Sequence, residues 1–428
     1  MIFCKKAGWG MALLFLCLIF GTGRTQKIEA AVQNVPESLE EESRLDTVGT
    51  DQETERAAVR EKKGQQEKEA GDTETDQAAA AQDELLAELD FDAIQQEVDS
   101  LLSSQQFSFA STVRSLLQDG DPFRTFRAGN AVLSCAKTAF LAQKGLMKEL
   151  FLLVLAGAVL GSFSSLFEGK QVRDASFYMV YLLALALILK NFQSSGENLK
   201  AVITSLVAFM RILTPSYYLA AAAAGGASSA VMFYQMLLLV ILAVEKLLLA
   251  LVLPMIHIYL LIALVNDLSG EEILSHMTEL LETCVNGLLK SSLGVLVGMQ
   301  MIRNLIAPAL DSLRQMALWR TAGMIPGIGN AVNAVTELVA GSAVLIRNCF
   351  GVTAMLVLLA AGMVPAVQLL VSGLSFRLLA AAAQPVSDKR IAGCLAAAGK
   401  GYAMLLRLLL TVEVLFLLTI AILAGTFS

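Results

Sequence analysis

Apolar residues gather into long runs in the last two thirds of the chain, and polar residues take most of the first third. A membrane-spanning helix needs about 20 apolar residues. Leu150 to Phe167 is the first clear run; Ala175 to Leu189 is shorter and extends into Asn191 and Phe192. Ala201 to Ala223 is interrupted by Arg211 and Pro215, Ala227 to Val244 ends at Glu245 and Lys246, and Leu247 to Val265 comes next. Asn348 to Phe376 is the longest uncharged run, and Leu408 to Thr426 is the last. Between them, Glu271 to Lys290 and Asn304 to Arg320 are amphipathic, and Ser291 to Ile302 is half a span unless it starts near Cys284. The pattern predicts an all-α polytopic membrane domain over residues 150–428, with six or seven transmembrane helices plus amphipathic and re-entrant ones.

Upstream the periodicity changes. Leu86, Leu89, Ile94, Val98 and Leu101 share a helical face, as do Phe107, Val113, Leu116 and Leu117. After the break at Asp119 to Phe123, the stretch Phe126 to Met147 sets Arg127, Lys137 and Lys144 against Val132, Leu133, Phe140 and Leu141. Residues 83–149 therefore read as an amphipathic helical extracytoplasmic region, whose last stretch, Phe126 to Met147, lies in a membrane interface or docks on its own protein. Residues 24–82 are rich in Glu, Gln, Asp, Thr and Ala, too polar to offset the entropy of ordering, and read as a disordered acidic extracytoplasmic linker. Lys5 and Lys6, the apolar run Ala7 to Phe20 and the small residues Gly21 to Gly23 have the layout of a signal peptide, residues 1–23. Leu16 before Cys17 argues against a lipoprotein signal.

With 56% hydrophobic residues and a mean hydropathy of +0.63, the composition belongs in a bilayer rather than in soluble domains. The net charge of -6 comes from the linker, since Arg24 to Ser100 carries 22 acidic against 8 basic residues. It gives no reason to expect an acidic enzyme or a nucleic-acid partner. Six scattered cysteines and two histidines lack metal-ligand spacing, and no cofactor is implied. There is no H-E-x-x-H, G-x-S-x-G or P-loop, so the expectation is a protein that is not an enzyme. If the leader exports the region after it, Leu150 to Phe167 runs inward, and a basic loop holding Arg377, Lys389, Arg390, Lys400 and Arg407 is cytoplasmic.

Three constellations invite a functional reading. Gly157 with Gly161, and Gly294 with Gly298, form G-x-x-x-G pairs that let helix backbones approach, within one chain or between the copies of a homo-oligomer. Thr321 to Glu337 carries Pro326, Gly327 and Gly329, predicting a helix break at membrane depth, with Asn330 and Asn333 lining a wet cavity or the break forming a plain surface turn. Arg211, His257 and Glu413 are ionisable groups inside apolar runs. Arg211 and Glu413 lie near enough to span ends to snorkel, whereas His257 is central and serves a transport path or an interhelical hydrogen bond.

Ile325 to Val352 (IPGIGNAVNAVTELVAGSAVLIRNCFGV), Pro365, and AAAAQPVSDKR at Ala380 to Arg390 resemble the stage III sporulation protein AE family. Phe107 to Pro122, Thr214 to Gly226 and Val252 to Ile256 fit the same family. The resemblance implies a multi-pass protein of the mother-cell-derived membrane around the forespore, with its N-terminal region in the intermembrane space. Its implied partners are other stage III sporulation operon proteins and a forespore membrane protein. Its implied role is a channel- or permease-like subunit of the complex that works after engulfment, against two alternatives: a non-conducting scaffold, or an independent secondary transporter.

Overall fold

The computed structural model describes residues 91–102, 107–119, 128–164, 170–223, 228–269, 273–322, 329–385 and 387–425, some helix ends as backbone alone. The expected signal, residues 1–23, and linker, residues 24–82, lie outside them. Among the described residues the fold is helical, without a strand. Two short helices, α1 (Phe91–Leu101) and α2 (Phe109–Asp119), precede α3 (Ala128–Ser164), α4 (Lys170–Ala223), α5 (Ser228–Leu247), α6 (Leu253–Ser269), α7 (Ser275–Ala322), α8 (Gly329–Ala383) and α9 (Lys389–Gly425). Among the described residues, five helical segments are long and apolar enough to cross a membrane: Phe177–Tyr217, Leu238–Ser269, Ser275–Met299, Gly341–Ala383 and Lys389–Ala421. The chain is a multi-pass membrane protein.

Several expected boundaries prove not to be breaks. Lys190 to Lys200, the polar stretch between two apolar runs, is helical, so α4 is one helix of 54 residues, about 80 Å at 1.5 Å per residue. Pro215 sits inside α4 without ending it, as Pro365 does in α8. The expected segments from Ser275 to Arg320 are one helix, α7, and Leu150 onward continues the helix begun at Ala128. Apolar runs mark where lipid is tolerated; they do not mark where a helix stops, because backbone hydrogen bonds continue through polar side chains.

The junction of α5 and α6 has its own cause. Pro254 has no N–H and its ring crowds the carbonyl four residues back. Just before it, Leu248–Val252 forms a π-turn in which the Leu253 N–H bonds to the Leu248 carbonyl, and the rod continues.

The basic loop expected from Arg377 to Arg407 is also corrected. Arg377 is in α8, and Lys389, Arg390, Lys400 and Arg407 are in α9, with five residues between the two helices. Pro385 disfavours helix in the residue before it. The Asp388 side chain then caps α9, accepting from the Arg390 N–H at 3.1 Å.

α4 makes a ring contact toward each of its ends. At one end Phe177 of α4 meets Arg390 of α9, whose guanidinium lies 5.4 Å from the ring centroid. At the other, Tyr217 of α4 meets Phe350 of α8 at 6.2 Å. Here α1 and α2 dock on their own chain. Gln95 accepts from the Phe109 N–H at 2.8 Å and donates to the Phe107 carbonyl at 2.7 Å, tying α1 to the start of α2. Phe109 stacks edge-on against Phe350 at 4.9 Å, and Ile94, Val98, Phe109 and Val113 are wholly buried. Burial of each contributes about 1.5–3 kcal/mol if the reference is water.

Candidate functional site

Among the described residues, the polar stretch of α4 makes two side-chain contacts to one hydroxyl of α9. Helical spacing puts Asn191, Phe192, Ser195, Gly196 and Leu199 on the inward face, while Gln193, Ser194, Glu197, Asn198 and Lys200 are on the outer one. Asn191 donates its amide N–H to the Tyr402 hydroxyl of α9 at 2.6 Å, and the Ser195 hydroxyl lies 3.2 Å from the same oxygen. Ser195 also donates to the Asn191 carbonyl at 2.9 Å. Tyr402 is clamped by the stacked ring of Phe376 and the edge-on ring of Phe192, both at 5.2 Å.

His257 completes this layer from α6. Its Nδ1 lies 2.9 Å from the Leu253 carbonyl, to which it donates. Nε2 lies against Gly196, where an added Cβ would sit only 2.5 Å away. Phe192 flanks the imidazole at 5.2 Å. Glycine is required at 196 because the imidazole occupies the space of a side chain. Gly401 meets Phe192 in the same way, since a Cβ there would lie 3.0 Å from the ring, and one on Gly373 would lie 3.2 Å from Tyr402.

Polar contacts continue along α9 on both sides of this layer. Toward the α8–α9 turn, the Tyr181 hydroxyl donates to the Leu264 carbonyl at 2.5 Å beside the Cys394 thiol, and the Asp267 carboxyl packs on Gly393, 3.1 Å from where a Cβ would be. Lys400 forms an ion pair with Glu282 of α7 at 2.5 Å, its ammonium 5.8 Å from the Tyr259 ring centroid. Arg407 donates to Asn286 of α7 at 3.1 Å. Farther along, Glu413 is 2% exposed and lies against Gly362 of α8. Together these residues draw a polar seam, α4 with α6 and α7 against α9, through helices long and apolar enough to span a bilayer. The seam offers hydrogen-bond donors, acceptors and charges at successive levels. Among the described residues no three of His, Cys, Asp and Glu gather as a metal site would require.

The stage III sporulation protein AE family matches residues 107–426, three quarters of the chain and every residue of the seam. The chain belongs to that family. A Bacillus subtilis (strain 168) relative, stage III sporulation protein AE, is 22% identical over 291 residues, covering 67% of this chain and 73% of the relative. No solved structure matches. Family membership gives the protein a role in sporulation.

Within this member of the AE family, the residues singled out by sequence fall in different places. His257 joins the seam, while Pro326 and Gly327 lie outside the described residues. Gly329 opens α8, and Asn330 and Asn333 belong to its first turns, described as backbone only. Gly157 packs on Val180 of α4, with 3.0 Å left for a Cβ, and on Ile391 of α9, with 3.7 Å; Gly161 is described as backbone only. Nothing described comes within 4 Å of a Cβ placed on Gly294 or Gly298, so neither makes a close approach to another described helix. Glu413 does not snorkel, because α8 closes over it. Asn191, Ser195 and Tyr402 were missed by sequence reasoning; the signal available was a polar run whose inward positions recur at i and i+4.

Proposed function

We propose that the protein is a channel- or permease-like membrane subunit of the complex that joins mother cell and forespore after engulfment, and that its contribution is not enzymatic. The observation that carries this reading is the seam itself. Polar side chains inside apolar spans are costly and are kept where they serve a path or a switch, and here Asn191, Ser195, His257 and Tyr402 share one layer. Pro326, Gly327 and Gly329, which the sequence expects to break a helix, with Asn330 and Asn333 in the first turns of α8, are the second polar element this reading would use. Its partners are other products of the stage III sporulation operon and a forespore membrane protein. Its site is the mother-cell-derived membrane around the forespore. The end bearing α1 and α2 faces the intermembrane space, and the basic end, at the α8–α9 turn, faces the cytoplasm.

The scaffold alternative would use the amphipathic helices of residues 83–149 to gather partners. The buried faces of α1 and α2 weigh against it, because Ile94, Val98, Phe109 and Val113 already pack on this chain's own helices. An independent secondary transporter finds no support in an internal repeat.

The test replaces Asn191 and His257 together by leucine. The expected result is a loss of heat-resistant spores of at least an order of magnitude, with normal membrane abundance and normal recruitment of the operon partners. A normal spore count at normal abundance would transfer the role to scaffolding.

A further inference from the structure

Glu413 is the least explained polar residue of the bundle. It sits well inside α9, within the apolar segment Lys389–Ala421, and its Oε2 is buried with no hydrogen-bond partner among the described residues. Gly362 makes the space: a Cβ there would overlap both carboxyl oxygens of Glu413. Leu409, Val412 and Phe416, its neighbours on α9, are buried and apolar, as are Leu358 and Ala361 beside Gly362 on α8. No described ion pair reaches it.

A carboxylate in such surroundings cannot stay charged without a partner, because the loss of hydration costs several kcal/mol. A protonated carboxyl can stay, as a neutral hydrogen-bond donor. Pro365 has no N–H, so the carbonyl of Ala361, four residues earlier, loses its helical donor next to Gly362. One carboxyl and one freed carbonyl suit a proton. They are too few oxygens for a sodium ion, which takes the place of its water shell only within a cage of several ligands.

We propose that Glu413 is a proton-binding site within the membrane, seated between Gly362 and the Pro365 turn, and that its deprotonation is linked to separation of α8 from α9 at that level. The neutral form fits the closed hairpin. The charged form needs water or a cation, which enters only if the two helices part. This assigns a coupling ion to the transport reading above and rests on it for its purpose, though the binding itself is a separate property.

Two measurements on the full-length protein in membrane vesicles test it. The first is labelling by the lipid-soluble reagent dicyclohexylcarbodiimide, which attacks protonated carboxyls, read by mass spectrometry of the peptide holding Glu413. Labelling is expected at pH 6, to fall several-fold by pH 9, and to be unaffected when sodium chloride replaces choline chloride. Absent or pH-independent labelling overturns the site, and protection by sodium overturns the proton as its ligand. The second is Glu413→Gln, a neutral isostere. Normal membrane abundance with severe loss of heat-resistant spores is expected, whereas a full spore count shows that a permanently neutral side chain suffices and ends the coupling proposal. If labelling behaves as expected and the Asn191 and His257 double replacement still sporulates, the proton site stands and the transport reading falls.

Discussion

α9 and α7 are both long, both contain charges within apolar stretches and both carry recurrent glycines, but protein surrounds them very differently. Inside the bundle, 61% of the span-like window of α9 is buried against 22% for α7. On α9 each glycine at a helix contact is filled from across: Gly393 by Asp267, Gly399 by Arg377, Gly401 by Phe192. On α7, Gly287, Gly294 and Gly298 meet no described neighbour, and Lys290 is exposed. The lesson is that small-residue spacing reports a capacity for close approach, and only the facing helix decides whether it is used.

The largest expected effect tests that contrast directly. Gly401→Leu must displace Phe192 and Leu260 and should cost about 1–3 kcal/mol by overpacking. Gly294→Leu should leave the thermal midpoint of the detergent-purified protein unchanged. Equal falls for the two would break the comparison.

Next comes Tyr402→Phe, which removes the oxygen shared by Asn191 and Ser195. About 1 kcal/mol of stability should be lost, most of it from the Asn191 amide left without its acceptor. Chemical denaturation alongside Asn191→Leu separates the two contributions, since the double variant should lose less than the sum; strict additivity would mean that the hydroxyl and amide are not coupled.

A smaller effect is expected where α7 and α9 share an ion pair. Lys400 is 48% exposed and Glu282 26%, so a double-mutant cycle with Lys400→Met and Glu282→Gln should give a coupling of about 0.2–1 kcal/mol. A coupling several times larger would place the pair in an environment much drier than the exposure indicates.

The smallest perturbation uses the native thiols. Cys284 on α7 is exposed and Cys394 on α9 is buried. With lipid-soluble N-ethylmaleimide in native membranes, Cys284 should react and Cys394 should not until the protein is denatured. Protection of Cys284 in cells making the whole operon, and its loss when partners are absent, would show that another subunit covers the open face of α7.

Much of the architecture was legible in the sequence because lipid imposes a strong constraint: long apolar runs with few charges can only be helices. The same constraint hid the helix ends. Lys190 to Lys200 interrupts hydropathy but not hydrogen bonding, so two expected spans are one helix. His257 was legible as a lone imidazole in an apolar run, but its partner Gly196 was not, since a glycine in a polar stretch looks like a turn. Glu413 was misjudged for a related reason: its distance from a run's end says how far it is from water along its own helix and nothing about the helix lying across it.

The uninterrupted length of α4 has a mechanical consequence. Its far end bears the α1–α2 hairpin through Tyr217 and Phe350, its middle holds Asn191 and Ser195, and its near end bears Arg390 through Phe177. Such a helix is stiff against pulling and twisting, with Pro215 as its point of weakened hydrogen bonding. A displacement at the α1–α2 end would therefore travel along one continuous helix, passing Pro215 before it reached Asn191 and Phe177.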